Sequence, residues 1–566
     1  MGLNGALHIG RSAILSSQAA MQVAGNNMAN ASTPGYHRQI ARLSPSRSDQ
    51  IGRNQFVGTG VQLSSVSRAI DTALQARMRA AISEENASQI DYNFLSSIEA
   101  IQNELGDNDL SSQLSQFFNA FSELGNSPED QAVRSVVLQQ GASLANHVND
   151  LRDEYAVVRE EVDRNLGATV ERVDALLGEI ASMNASIAEA QGGGTSGEAS
   201  SLHDQRDVLI DELSQYMEVT TVEQANGSVD VLVNSIPVVL AGESRGIEMR
   251  TRSGPDGSEV SVRVKADGTL LEVGTGSIGG LMRQRSETIE PAINALDTFT
   301  SQMIFQVNNL HAQGQGTEGR QSLTSAFQVD DTAANLNAEG SGIPWEMSNG
   351  TFQLHLVHPE SGQRTTYQVA VDPNTMSLDD LVNEINVNLG IPNVQASVNA
   401  EGRFQIQADQ GYEVAFSEDE TGVLGALGMN AFFTGQNASD IAVDQALLDN
   451  PGLLAASSDF TPGGNGIAIG IAGLQDMGID ALGGASLREY WQTSVNDHAV
   501  KTSSARTSLQ SDQLVRTSLE ARNQAVSGVS LDEEAIDLMS LQRQFQAAAR
   551  YITVIDETMQ VLLSIA

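Results

Sequence analysis

Three patterns in the sequence have spacing that could do chemistry. Gly274-Thr275-Gly276-Ser277-Ile278-Gly279 follows a strand-like run and precedes a helical one, imitating a dinucleotide-binding fingerprint. That motif needs a second parallel strand ending in an acid about 20 residues on. Here the position, around Asp297, lies inside a helical pattern, so the glycines are more simply a strand-to-helix turn. His355 and His358 resemble a metal pair, but in the strand pattern TFQLHLVH their odd separation puts them on opposite faces. The two lysines, Lys265 and Lys501, do not follow a glycine, so there is no P-loop, and neither HExxH nor GxSxG occurs. With no cysteine there are no disulfides, zinc–thiolate sites, iron–sulfur clusters or thiol nucleophiles. The abundant Asp and Glu are most simply a solvated surface. No catalytic, cofactor-binding or metal-ligating residue is assigned, no cofactor is expected, and the chain is not expected to be an enzyme.

Composition narrows the classes further. The 566 residues are enough for three or four domains. A net charge of −40 leaves no basic footprint for nucleic acid and disfavours anionic membrane surfaces. No apolar run approaches the ~18–20 residues of a membrane span, so no membrane insertion is expected. The first twenty residues lack the charged and apolar regions of a Sec-type signal. Such a chain fits the cytosol, or export by a route without a cleaved signal.

With little chemistry to position, the elements themselves carry the information. Leu3, Leu7, Gly10, Ile14, Ser17, Met21, Ala24 and Met28 alternate in steps of four and three, a coiled-coil seam. One register position is large (Leu7, Ile14, Met21, Met28) and the other is mostly small. Such a seam buries too little to hold a lone helix in water and asks for a partner. Pro34 and Gly35 end it: proline lacks an N–H and disfavours helix at Thr33, and Pro-Gly reads as a turn before Tyr36. At the other end Leu538, Leu541, Phe545, Ala548, Ile552, Ile555, Met559 and Leu562 repeat the pattern after a capping box, Ser530 to Glu533. Either the two helices belong to one core, or both find helices on neighbouring subunits. Periodicity leaves both open.

Between the ends, residues 36–70 read as short strands and loops and 72–190 as several helices. Ser127 is expected to cap one of these, with Pro128 in its first turn. QGGGTSG (191–197) reads as a flexible break, 201–217 as helix and 218–275 as β, with hairpin signals at Asn226-Gly227 and Asp267-Gly268. Residues 280–312 are helical, 350–416 a compact strand–strand–helix–strand–strand module, 440–484 irregular, and 486–525 a long helix. The fold class expected is α+β, mainly α. Terminal helices 1–35 with 528–566 form a coiled-coil core domain. Residues 36–312 with 440–527 form a helical domain with a β-rich portion (218–275), and 320–436 an inserted α+β outer domain.

SSQAAMQVAGNNMANASTPGYHRQ resembles the N-terminal motif of flagellar rod, hook and hook-associated proteins, and SGVSLDEEAIDLMSLQRQFQAAARYITVIDETMQVLL resembles their C-terminal motif. Internal stretches such as LSQFFNAFSELGNSPEDQAVRSVVLQQGASLANHVNDL and GALGMNAFFTGQNASDIAV are similar to the members at the hook–filament junction. The resemblance implies a structural protein of the bacterial flagellum, needed for filament assembly. It implies export as an unfolded chain through the flagellar type III apparatus to an extracellular site, and a cytoplasmic chaperone on the C-terminal helix. It also implies self-association in a ring, with the hook protein on one face and the second junction protein on the other. The assembly interface would be Leu7, Ile14, Met21, Met28, Leu538, Leu541, Phe545, Ile552, Ile555, Met559 and Leu562. Thr33, Pro34, Gly35 and Tyr36 would be the bend where the chain leaves the core. The alternatives are a hook or distal-rod protein, or a secreted adhesin or effector, though the latter has no need of matched heptads at both ends.

Overall fold

The computed structural model describes residues 3–52, 55–103, 106, 109–192, 196–254 and 257–565. It is a helix-rich α+β fold. Helix α1 (Leu3–Ala29) is followed by strands β1 (Gln39–Pro45), β2 (Asp49–Gly52), β3 (Gln55–Val57) and β4 (Val61–Arg68). β1 pairs with β4 and β2 with β3, all antiparallel, with a bulge between Arg42 and Leu43. Four helices follow: α2 (Thr72–Gln102), α3 (Leu110–Asn126), α4 (Gln131–Gly192) and α5 (Ser196–Tyr216).

α4 is one helix of 62 residues and does not start where the sequence suggested. Ser127 instead closes α3, its N–H donating to the carbonyls of Glu123 and Leu124. Asp130 caps α4 by accepting from the N–H of Ala132 at 2.8 Å, because a carboxylate placed one residue before the helix reaches its free first-turn donors. Of the glycine break expected at 191–197, residues 193–195 lie outside the described residues.

A four-stranded antiparallel sheet (Thr220–Glu223, Val229–Val233, Ile236–Leu240, Glu243–Ser244) and a hairpin (Ile247–Gly254 with Gly257–Val264) come next. Helix α6 (Gly276–Arg283) then passes through a π-helical segment (Gln284–Ile289) into α7 (Glu290–Ala312). Pro291 accounts for the π turn: it has no N–H, and its ring crowds the carbonyl four residues back, at Glu287.

Residues 320–436 carry two three-stranded sheets, one ordered Gln363–Val371, Gly350–His358, Glu413–Ser417 and the other Ser322–Thr324, Phe404–Ala408, Val394–Val398. They also carry the short helices α8 (Leu378–Asn383) and α9 (Val423–Leu427). The sequence missed Glu413–Ser417 as a third strand. The region 440–484 is less irregular than it reads, with α10 (Gln445–Asp449) and the apolar α11 (Gly466–Gly473). The chain ends in α12 (Leu487–Ser527) and α13 (Leu531–Ile565).

The chain divides into two compact units. The first comprises residues 1–93, 162–284 and 504–566, and the second 94–161 and 285–503. The second unit is built around an aromatic cluster. Phe117 and Phe121 of α3 meet Phe432 at 5.6 and 5.4 Å between ring centroids, and Phe432 meets Phe433 at 4.7 Å. Both flanks of 320–436 are built into this unit: Trp345 stacks on Phe305 of α7, and Asn308 of α7 holds Phe433.

That last contact belongs to a recurring device. Asn308 donates its amide to the Phe433 carbonyl at 2.8 Å and accepts from the Phe433 N–H at 2.9 Å. Asn184 does the same to Val229, Asn337 to Met347 and Asn386 to Ala396. Each asparagine satisfies both backbone groups of a residue that has no strand partner on that side.

Candidate assembly core and its bend

α1 packs against α13. Gly10 faces Ile552, while Ala24 and Asn27 share a groove with Leu541 and Glu534, so the two helices run antiparallel. The contact is made by the small register of α1. Gly10, Ser17, Ala20 and Ala24 are buried, whereas Leu7, Ile14, Met21 and Met28 are only half-buried. Gly10 shows why: a Cβ there would lie 2.6 Å from Cγ1 of Ile552. Small residues let the backbones approach, and the large ones are left partly uncovered beside the pair. On α13, Ile555 and Ala548 are buried, and Leu538, Leu541, Phe545, Ile552 and Met559 are half-buried. Leu562 is 49% exposed.

A second contact fixes α1 to the β1–β4 sheet. Ser12 and Ser16, one turn apart, bracket Val61 at the start of β4. Ser12 Oγ accepts from the Val61 N–H and Ser16 Oγ donates to the Val61 carbonyl, both at 3.2 Å. The helix thus closes the open backbone of the strand with two hydroxyls.

The bend after α1 is held by side chains. Thr33 N–H returns to the Asn30 carbonyl and Tyr36 N–H to that of Thr33. Gly35 has φ +74°, a left-handed conformation that suits glycine, and a Cβ there would collide with Val208 of α5. Pro34 and Thr33 are exposed. Asn27, buried on the last turn of α1, clamps Gln39 as the other asparagines clamp their strands. Its amide donates to the Gln39 carbonyl and its oxygen accepts the Gln39 N–H, each at 2.9 Å. The Tyr36 hydroxyl donates to the same oxygen at 2.8 Å. Burial, and then the carboxylates of Asp204 and Glu534, push the Tyr36 phenol up to about 12, so the donor keeps its proton.

Residues 37 and 38 anchor the bend in two directions. His37 Nδ1 lies 2.8 Å from Asp204 of α5, and its Nε2 lies 3.0 Å from the Gln75 amide of α2. Arg68 of β4 donates to Asp204 at 2.9 Å and Asp207 at 2.6 Å, and Arg79 of α2 donates to Asp211 at 2.6 Å. Burial alone would raise the Asp207 carboxyl, but the Arg68 and Arg79 guanidiniums outweigh it and hold it below the usual range. His37, Asp204 and Asp207 offer donor atoms within 4.8 Å of one another, yet Arg68 already supplies both carboxylates with a cation. Arg38 ties the bend to the α12–α13 junction: its N–H donates to the Ser527 carbonyl, and its Nε to buried Glu534 at 2.7 Å. The capping box is half present, with Ser530 Oγ accepting from the Glu533 N–H at 3.4 Å while the Glu533 carboxylate faces Arg38 instead.

Sequence reasoning missed Ser12, Ser16, Asn27, His37, Arg38, Asp204 and Glu534. The available signal was polar residues inside or just past an amphipathic stripe, where a buried polar group must find a partner.

The two elements that pair are matched by two family models. "Flagella basal body rod protein" covers residues 7–37 and "Flagellar basal body rod FlgEFG protein C-terminal" covers 523–565, while "Flagellar hook-associated protein FlgK helical domain" covers 95–327. The Flagellar hook-associated protein 1 of Escherichia coli strain K12 is 25% identical over 565 residues, 98% of each chain. That of Bacillus subtilis strain 168 is 25% identical over 572 residues, 99% of this chain and 97% of the relative. The likeness to proteins named Flagellar hook-associated protein 1 thus runs nearly end to end.

The corresponding protein of Salmonella typhimurium strain LT2 is 24% identical over 98% of both chains. Among solved structures, the flagellar hook junction protein FlgK from Burkholderia pseudomallei is similar at a TM-score of 0.49 and 15% identity over 80% of this chain and 100% of that one, too loose a likeness to weigh. Among the described residues, no helix is long and apolar enough to cross a membrane. His355 and His358 lie on the Gly350–His358 strand, where His355 bonds to Thr366 and Ser417. Gly276 opens α6 at φ +73°, after a loop rather than directly after a strand, since the preceding strand ends at Val264.

Proposed function

We propose that this chain is a structural subunit of the bacterial flagellum that forms the junction between hook and filament and is needed for filament assembly. The observation that carries the reading is similarity over 98–99% of the chain to relatives named Flagellar hook-associated protein 1. The match of the helical domain at 95–327 favours the junction over a hook or distal-rod protein.

In this reading the α1–α13 pair is the assembly element. The half-covered large positions Leu7, Ile14, Met21 and Met28, together with Leu538, Leu541, Phe545, Ile552, Ile555, Met559 and Leu562, meet helices of neighbouring copies in a ring. The bend at Thr33–Tyr36 carries the chain outward. Residues 1–35 with 528–566 act as the core, 36–312 with 440–527 as the body, and 320–436 as the outer part. One face of the ring meets the hook protein and the other the second junction protein. The chain is exported unfolded through the type III apparatus, with a chaperone on α13 beforehand, and works outside the cell. Its role is structural rather than enzymatic. A strain lacking the gene should keep its hooks and shed filament protein into the medium. Normal filaments in that strain would overturn the proposal.

A further inference from the structure

Charge is unevenly divided along this chain. Its net charge is −40, yet residues 1–70 hold six arginines and a single acid, Asp49. Arg38 and Arg68 are consumed by Glu534 and by Asp204 and Asp207. Among the described residues, Arg11, Arg42 and Arg47 are exposed and make no ion pair; Arg42 donates only to the Ser67 hydroxyl. Around Arg42, the outer face of the β1–β4 sheet also exposes Ile40 (42%), Leu43 (42%) and Leu63 (38%). Arginines set among exposed apolar side chains, in an otherwise acidic molecule, make a surface that fits an acidic and apolar partner.

The same chain carries the complement. The first turns of α13 expose Asp532, Glu533 and Asp537 together with Ile536 (61%) and Met539 (49%). Asp532, Ile536 and Met539 fall at i, i+4 and i+7, on one helix face. The buried Glu534, on another face, takes Arg38 within the chain, so the Asp532–Ile536–Met539 stripe is left to solvent.

We propose that the outer face of the β1–β4 sheet, through Ile40, Arg42, Leu43 and Leu63, docks on the Asp532–Ile536–Met539 face of α13 of a second copy of this chain. Two different patches meet, so the contact is heterologous and propagates from copy to copy. Arg42 and Arg47 supply steering and register, and the apolar residues supply the buried area. The inference rests on the flagellar assembly reading and adds to it a surface outside the α1–α13 seam.

The absence of cysteine allows a clean test. Two full-length variants, Leu43→Cys and Ile536→Cys, carrying different tags, are co-expressed in a strain lacking the native gene. Flagella are isolated and treated with a short bis-maleimide cross-linker. The expected result is a covalent dimer bearing both tags. Adding Arg42→Glu and Arg47→Glu to the Leu43→Cys chain should lower its yield at least about tenfold, because like charges then face each other. Asp532→Arg in the Ile536→Cys chain should restore it. Melting of the secreted monomers should be unchanged across the set. Flagella that contain both chains but give no mixed dimer overturn the inference alone, as does a dimer yield that ignores the charge reversal. Absence of the chain from isolated flagella overturns both the inference and the proposed function.

Discussion

Asn27 holds Gln39 by both of its backbone groups, donating to the carbonyl and accepting from the N–H at 2.9 Å each. Twelve residues separate them in the chain, and the Pro34-Gly35 turn lies between. The amide therefore fixes the direction in which the chain leaves α1, and it does so with a side chain that is 1% exposed.

Asn27→Asp removes the donor and buries a carboxylate against the Gln39 carbonyl. The expected loss is about 1–3 kcal/mol, because one carboxylate oxygen keeps the Gln39 N–H and the Tyr36 hydroxyl while the other, where the amide donated, is buried against the Gln39 carbonyl with no proton between them. Amide exchange at Gln39 and at β1 reads it. Unchanged protection in Asn27→Asp would mean that Pro34 and Gly35 set the bend without the clamp.

Gly10→Val should weaken the terminal pair even though glycine is a poor helix former. Helix propensity alone favours the change by a few tenths of a kcal/mol, whereas a Cβ 2.6 Å from Ile552 forces a shift costing about 1–3 kcal/mol. Thermal melting followed by protection of α1 distinguishes the two signs. A more protected α1 would show that the helices do not meet at Gly10.

Phe545→Asp should block incorporation into flagella, while the exposed control Gln544→Asp assembles. Phe545 is half-buried and lies on the seam proposed to meet other copies, so the uncompensated charge recurs at every subunit of a ring. Phe545 belongs to the first unit, and melting of the second should not move. Secreted protein is measured separately from filament attachment, since a chaperone reading the same stripe would lower export. Normal filaments on cells carrying only Phe545→Asp would refute the role of the seam.

Acid should destabilise the fold through its neutral histidines. Burial lowers His311, His203 and His355 to about 4. The unfolded chain takes up these protons near pH 6.5 and the folded chain only near 4, so stability is full above about pH 6.5 and is lost as pH falls towards 4. His311 makes the reason concrete. Its Nδ1 donates to the Asn430 carbonyl at 2.6 Å and its Nε2 accepts the Ala455 N–H at 2.9 Å, so a second ring proton would point at an N–H. Between pH 7 and 5 each histidine should remove about 1–2 kcal/mol. Denaturant titration at both pH values measures the sum, and His311→Gln should flatten part of the slope. An equal midpoint at pH 7 and pH 5 would contradict the assignment.

Phe432→Ala should destabilise the second unit by about 3–5 kcal/mol, since Phe432 is fully buried among Phe117, Phe121 and Phe433. Urea melts that change only by a few tenths of a kcal/mol would place the 320–436 segment outside that core.

The sequence by itself determined that both ends are helices, where α1 stops, and that the terminal motifs resemble those of flagellar axial proteins. Heptad spacing and the Pro34-Gly35 turn act over a few residues, and such local signals survive without a fold. The long α12 and the β content of 218–275 were legible for the same reason. Tertiary structure decided the rest. The Asp130 cap of α4 depended on where Ser127 was spent. The antiparallel pairing at Gly10 and Ala24 depended on how closely two backbones at opposite ends of the chain can approach. The partners of Asn27, His37 and Arg38 come from β1, α2, α5 and α13, and hydrogen bonds over such separations leave no periodicity to read. A polar side chain announces that it needs a partner; only the folded chain says which one it has.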